Sequence, residues 1–278
     1  MAACRSLGEF LDRHDQIVRV VLETVRGSSP REAGAEMLVT DTAIWGTIGG
    51  GQLEYMAIDH ARKFIAQGAI AGRMEVPLGP EIGQCCGGHV TLSLKLMDAL
   101  DRSDALNREE AARAQLPNVL ILGAGHVGRA LARALEPLPV RAILIDSRAI
   151  ELERAADGCE TRLSAIPEME ITNAPTGSAY VVLTHDHALD FLLTSEALAR
   201  GDAVYVGMIG STTKRASFRS WCRSEHPDLL LDDLICPIGS QGSADKRPEV
   251  IAAFVAAEVV AALTTNTSEK QNKIKKNA

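Results

Sequence analysis

The stretch from Asn118 to Asp146 constrains the fold most. Asn118 to Gly123 is a compact apolar strand, followed by Gly123-Ala124-Gly125-His126-Val127-Gly128. A helix with Leu131 and Leu135 on one face comes next, stopped by Pro137 and Pro139. Val140 to Ile145 is a second apolar strand that ends at Asp146. A glycine hexad alone is a weak signal, but inside a strand-turn-helix-strand unit it specifies a dinucleotide-type βαβ fold. In such a unit Gly123 makes the turn, Gly125 lets backbone meet a pyrophosphate, and Gly128 lets helix and strand pack closely. Asp146 follows at roughly the 20-residue spacing of a ribose-hydroxyl acceptor. The alternative is the same fold with no bound dinucleotide. His126 reads as a capping or ligand-contact residue, because a cation there would oppose the helix dipole.

The remainder of this half repeats the alternation of strand and helix. Ala179 to Leu183 and Ala203 to Met208 are buried strands, and Leu234 to Ile238 is a last one. Strand C-termini in open α/β sheets face the ligand crevice, so Thr184-His185-Asp186-His187 is well placed. His185 and Asp186 are candidate site residues. The same cluster can start a helix by capping, and that reading is preferred to metal ligation. Gly210-Ser211-Thr212-Thr213-Lys214-Arg215 offers hydroxyls and cations at a strand-to-helix turn, which makes Ser211 and Lys214 candidates for a phosphate. The alternative is a solvated first helical turn. The helix beginning at Pro248 carries the apolar stripe Ile251, Phe254, Val255, Val259 and Ala262.

The first hundred residues read differently. A short opening helix (Cys4 to Arg13) precedes Val-rich strand candidates at Ile17–Val25, Glu36–Thr40 and Ile44–Ile48, an antiparallel meander. Gly49-Gly50-Gly51 then opens a helical pattern with Leu53, Met56, Ala57 and Ala61. Glycines at a helix start can cradle an anion, since the first amides lack partners, or can serve a tight turn only. Arg73–Leu78 and Val90–Met97 are strands flanking Gly83-Gln84-Cys85-Cys86-Gly87-Gly88-His89. Adjacent cysteines between glycines can present thiolates to a soft metal or to sulfur chemistry, or can be packing residues.

The expected architecture is α/β: a small N-terminal α+β domain (1–100), a helical or irregular linker (101–116), a Rossmann-like doubly wound parallel-sheet domain (117–264) and a disordered tail (265–278). With 278 residues, two domains are natural. Aromatic content of 4% rests the cores on Ala, Val, Leu and Ile. A net charge of −7 without a basic, aromatic-studded face argues against nucleic acid and against membrane surfaces. No apolar run spans a bilayer, and Met1 to Glu9 lacks an apolar signal core. The six cysteines include no C-x-x-C pair, so no structural zinc is expected and a reducing cytoplasm is the simplest setting.

Taken together, these segments resemble the xanthine dehydrogenase accessory protein family (XdhC/CoxI). The resemblance rests on Gly27 to Ala35, Gly46 to Glu54, Gly83 to His89, Gly123 to Gly128, Thr184 to His187, Gly207 to Ser211 and Cys236-Pro237-Ile238-Gly239. It implies a chaperone that binds molybdenum cofactor (molybdopterin) and protects it during sulfuration. It then assists insertion into apo xanthine dehydrogenase or a related molybdenum hydroxylase. It also implies a cysteine desulfurase as the sulfur donor. Beyond Ile238 the chain departs from the family pattern, and 239–247 receives no role. The candidate cofactor-binding set is Gly49, Gly50, Gly51, Gln84, Cys85, Cys86, Gly87, Gly88, Gly123, Gly125, His126, Gly128, Asp146, His185, Asp186, Ser211 and Lys214, with Cys85 and Cys86 as molybdenum-facing thiols. No catalytic residue is assigned. The Rossmann-like domain is expected to hold a nucleotide, NAD(P), or part of the cargo. The competing readings are an NAD(P)-dependent oxidoreductase and a thiol sulfur carrier. A homodimer is the base-rate expectation.

Overall fold

The computed structural model describes residues 6–27, 31–78, 88–155, 158–240, 242–243 and 245–276, with backbone alone from 265. The chain divides into two compact units, Met1–Ala111 and Ala112–Ala278.

The first unit is built on a five-stranded antiparallel sheet of order β3-β2-β1-β5-β4. Its strands are β1 (Val18–Arg26), β2 (Glu36–Val39), β3 (Ile44–Gly46), β4 (Ala71–Leu78) and β5 (Gly88–Leu96). The expected meander is present. Alternation sets the faces: Val18, Val20 and Leu22 of β1 are fully buried, whereas Arg19 and Glu23 point the other way. Helix α2 (Gly51–Ala66) covers that buried face with Leu53, Ala57, Ala61 and Phe64. Leu38 of β2 faces opposite to Met37 and Val39. It joins Ile17, Met97, Ala105 and α1 (Leu7–Arg13) residues Leu7, Phe10 and Leu11 in a smaller core.

The segment expected as a linker is mostly helix α3 (Ala99–Ala114). Asp98 and Asp101 each accept from the other's amide at its start, at 2.9 and 3.1 Å. Arg102 donates to the carbonyls of Leu11 and Asp15 at 2.6 and 2.5 Å, and Ala105 is buried against α1. Its polar composition reflects a mostly exposed helix with one anchoring edge.

The second unit is a six-stranded parallel sheet of order β11-β10-β9-β6-β7-β8. The strands are β6 (Asn118–Leu122), β7 (Arg141–Asp146), β8 (Glu160–Leu163), β9 (Ala179–Val182), β10 (Tyr205–Met208) and β11 (Leu234–Ile235). Counted from the first strand, this is the 3-2-1-4-5-6 order of a dinucleotide-binding sheet, with its reversal point between β6 and β9. Both faces are covered, so β6, β9 and β10 are almost wholly apolar and buried. Val119 and Ile121 meet α4 (His126–Leu135) and α9 (Pro248–Lys276), through Leu131, Leu135, Val255 and Val259. Leu120 and Leu122 face the opposite core, shared with Leu193 of α7 (His187–Ala199) and Phe218 of α8 (Thr212–Glu225). The backbone of α9 stays helical to Lys276, past the position where a tail was expected to begin. No proline or glycine interrupts the sequence between Pro248 and that point.

Candidate functional site

Parallel topology brings the C-terminal ends of β6, β7 and β9 to one edge, where a small crevice opens. Its walls include Gly123, Asp146, Ser147, Pro167, Thr184 and His185. The glycine loop behaves as the sequence requires. Gly123 has φ 126°, and a Cβ there would lie 2.4 Å from the Leu183 carbonyl oxygen. A Cβ on Gly128 would lie 2.0 Å from the carbonyl oxygen of Gly123, so α4 docks on the loop only through glycine. Nothing lies within 4 Å of a Cβ built on Gly125, which leaves open space beside the first turn of α4. A phosphate group fits this arrangement, because the helix N-terminus presents unpaired amides to that space. His126 is the exposed first residue of α4, and His185 is exposed at the crevice wall.

Asp146 has a different role from the one expected. Its Oδ2 accepts the Ala124 amide at 2.7 Å and Nη2 of Arg148 at 2.9 Å. Its Oδ1 accepts the amide and Nε of Arg148, both at 2.9 Å. Burial alone would raise its pKa, but the bonds from Arg148 and the Ala124 amide outweigh that and hold it below the ordinary aspartate value. This carboxylate ties the glycine loop to β7 instead of offering an unfilled acceptor to a ribose.

Lys214 and Ser211 are committed within the protein as well. Lys214 Nζ pairs with Oδ2 of Asp190, whose side chain is fully buried. The other oxygen of Asp190 accepts the amide and hydroxyl of Thr184 at 2.8 and 2.7 Å. The pair joins the end of β9 to the first turns of α7 and α8. Ser211 caps α8 by accepting the Lys214 amide at 3.3 Å. Asp186 caps α7, accepting from Ala188 and Leu189 at 2.7 and 3.1 Å, and those amides lower its pKa. Among the described residues no group of three or more His, Cys, Asp or Glu is placed to hold a metal ion.

In the first unit, Gly49, Gly50 and Gly51 all have positive φ, at 129°, 75° and 63°. The anion in their loop is internal. Glu54 Oε2 accepts the Thr47 hydroxyl at 2.5 Å and the amides of Ile48 and Gly50 at 3.1 Å each. A carboxylate one turn into a glycine-started helix is the sequence signal for this closure. Gly88 opens β5 opposite Leu78. Gln84, Cys85, Cys86 and Gly87 lie outside the described residues.

Two family models cover most of the chain. Residues 119–259 match the XdhC Rossmann domain, and residues 10–75 match the XdhC and CoxI family. The chain belongs to the XdhC and CoxI family. A crystal structure described as a xanthine dehydrogenase from Bacillus halodurans shares this XdhC-family fold. Its TM-score is 0.69 at 17% identity, covering 93% of this chain and 95% of that one. The uncharacterized protein YqeB of Escherichia coli K12 is 28% identical over 112 residues. That match takes in 39% of this chain and 18% of YqeB, so the chain spans less than a fifth of that relative. Among the described residues no helix is long and apolar enough to cross a membrane.

Proposed function

We propose that this XdhC-family chain is an accessory protein of a xanthine dehydrogenase or related molybdenum hydroxylase. In this reading it holds molybdenum cofactor as cargo while a terminal sulfido ligand is installed, then passes it to the apoenzyme. The observation that carries the reading is family membership through both units, at 10–75 and 119–259. The neighbour described as a xanthine dehydrogenase supports the connection with that enzyme class. A cysteine desulfurase as sulfur donor, a cytoplasmic setting and a two-fold dimer belong to the same proposal.

The cargo has a phosphate end and a soft molybdenum–sulfur end. Thiolates suit the soft end, and Cys85 and Cys86 on the segment joining β4 to β5 are the candidates. The open space at Gly125 suits a phosphate better than the Gly49–Gly51 loop does, because Glu54 already takes that loop's amides.

Anaerobic incubation with molybdenum cofactor, desalting and assay of retained molybdenum and pterin test the proposal. Stoichiometric retention, lost in a Cys85→Ser/Cys86→Ser double variant, is the expected result. Retention that survives the double variant moves the soft-end site away from these thiols. No retention removes the chaperone reading. An NAD(P)-dependent oxidoreductase is the second reading, favoured by the strand order and glycine hexad. A nicotinamide absorbance change on addition of a hydroxylated or carbonyl substrate would support it.

A further inference from the structure

The sheet of the first unit ends on β4, which pairs with β5 on one side and has no strand on the other among the described residues. The Leu96 amide donates to the Ile70 carbonyl at 2.9 Å, one residue before the Ala71–Lys95 pair of the ladder. Directly opposed residues of an antiparallel pair alternate between hydrogen-bonded and non-hydrogen-bonded. The even-numbered positions of β4 therefore bond to β5, and Ala71, Arg73, Glu75 and Pro77 turn their backbone groups outward. Pro77 agrees with that assignment, because a proline has no N–H to give an inward ladder position. The opposite edge strand, β3, is only three residues long, against eight in β4.

Charge then selects what can pair there. Arg73 and Glu75 lie on the face of the sheet opposite α2, and their side chains are 73% and 72% exposed. Their partners on that face are Glu23, 3.2 Å from Arg73, and His89, 3.9 Å from Glu75; exposed contacts of this kind hold little energy. Edge charges commonly guard a strand against pairing. Here the signs alternate, so the guard fails against an inverted copy of the same strand. With a two-fold axis at Met74, Arg73 lies opposite Glu75 of the second copy, and Glu75 opposite its Arg73. Moving the axis to Arg73 or to Glu75 sets like charges face to face, which is destabilising. The Met74 register also sets Ile70, 70% exposed, against Leu78 of the second copy.

We propose that β4 pairs antiparallel with β4 of a second copy about an axis at Met74, joining two five-stranded sheets into one. About six backbone hydrogen bonds form across the axis, with one donor missing on each strand at Pro77. The same patch serves both copies, so the contact closes as a dimer. It gives the two-fold dimer of the proposed function a surface and does not depend on what cargo the chain carries.

Sedimentation velocity of the full chain across the micromolar range tests this directly, with the wild type expected as a dimer. Arg73→Glu and Glu75→Arg each set like charges at both cross-strand pairs, and each should weaken self-association about tenfold or more. The double variant Arg73→Glu/Glu75→Arg should recover the dimer. An equimolar mixture of the two single variants should form the heterodimer, because every cross-strand pair is then opposite in sign. A wild-type monomer across the range would overturn the proposal without touching the cargo-retention assay. A dimer that neither single variant weakens would overturn the β4 surface while the dimer itself stood. Should a charge reversal disturb the fold, oxidative cross-linking of Met74→Cys reads the same register, since its two copies meet at the axis. No linked dimer beyond the wild-type level would then overturn the proposal.

Discussion

Replacing Glu54 by alanine should unlock the triple-glycine turn of the first unit. One carboxylate oxygen accepts a hydroxyl and two backbone amides, from Thr47, Ile48 and Gly50. Ile48 is fully buried, so its amide cannot readily turn to water. Leaving a buried donor unsatisfied costs about 1–3 kcal/mol, and loss of an anion near a helix N-terminus adds about 0.3–1 kcal/mol. Gly49, Gly50 and Gly51 also hold positive φ in succession, so without the anchor the turn has much freedom to regain. The combined expectation is roughly 2–4 kcal/mol lost from the first unit. The assay uses the placement of the two tryptophans, Trp45 in β3 and Trp221 in α8. In a Trp221→Phe background, Trp45 emission during urea unfolding reports the first unit alone. Glu54→Gln, which keeps an acceptor but not the charge, should fall between wild type and alanine. A Glu54→Ala variant within about 0.5 kcal/mol of wild type, the usual range for a surface substitution, would refute the internal-anion account.

Three further outcomes follow from the second unit. Gly128→Ala places a Cβ 2.0 Å from the Gly123 carbonyl oxygen and should cost about 1–3 kcal/mol of stability, read by urea unfolding. Lys214→Met strands the fully buried Asp190 and should cost about 3–5 kcal/mol by Trp221-monitored unfolding, whereas Lys214→Met with Asp190→Leu should cost markedly less. Asp146 has a folded-state pKa below its unfolded value of about 3.9, so its contribution is present above that pH and is lost as pH falls through the folded value. Urea midpoints measured between pH 7 and pH 3 should therefore fall less steeply in Asp146→Asn than in wild type.

Much of the fold was legible in the chain because it depends on local periodicity. The period-2 alternation of β1, the continuous apolar run of β6 and the glycine hexad each name their element without reference to distant residues. The α3 segment was less legible: its polar, Ala-rich sequence reads equally as a helical or an irregular linker, and only Arg102 and Ala105 reveal what it packs against.

The candidate site divides along the same line. Residue type and spacing determined that Gly123, Gly125 and Gly128 would form a close-packed loop beside a helix start, and the structure leaves open space beside Gly125. Tertiary structure alone decided which polar groups remain available. Asp146, the Gly49–Gly51 loop and Lys214 each look ligand-ready in sequence, but the fold gives each an internal partner: Arg148 with the Ala124 amide, the Glu54 carboxylate, and Asp190. The reason is that a polar group taken out of water must be satisfied where it lands. Its partner is chosen by proximity in space, which periodicity does not encode.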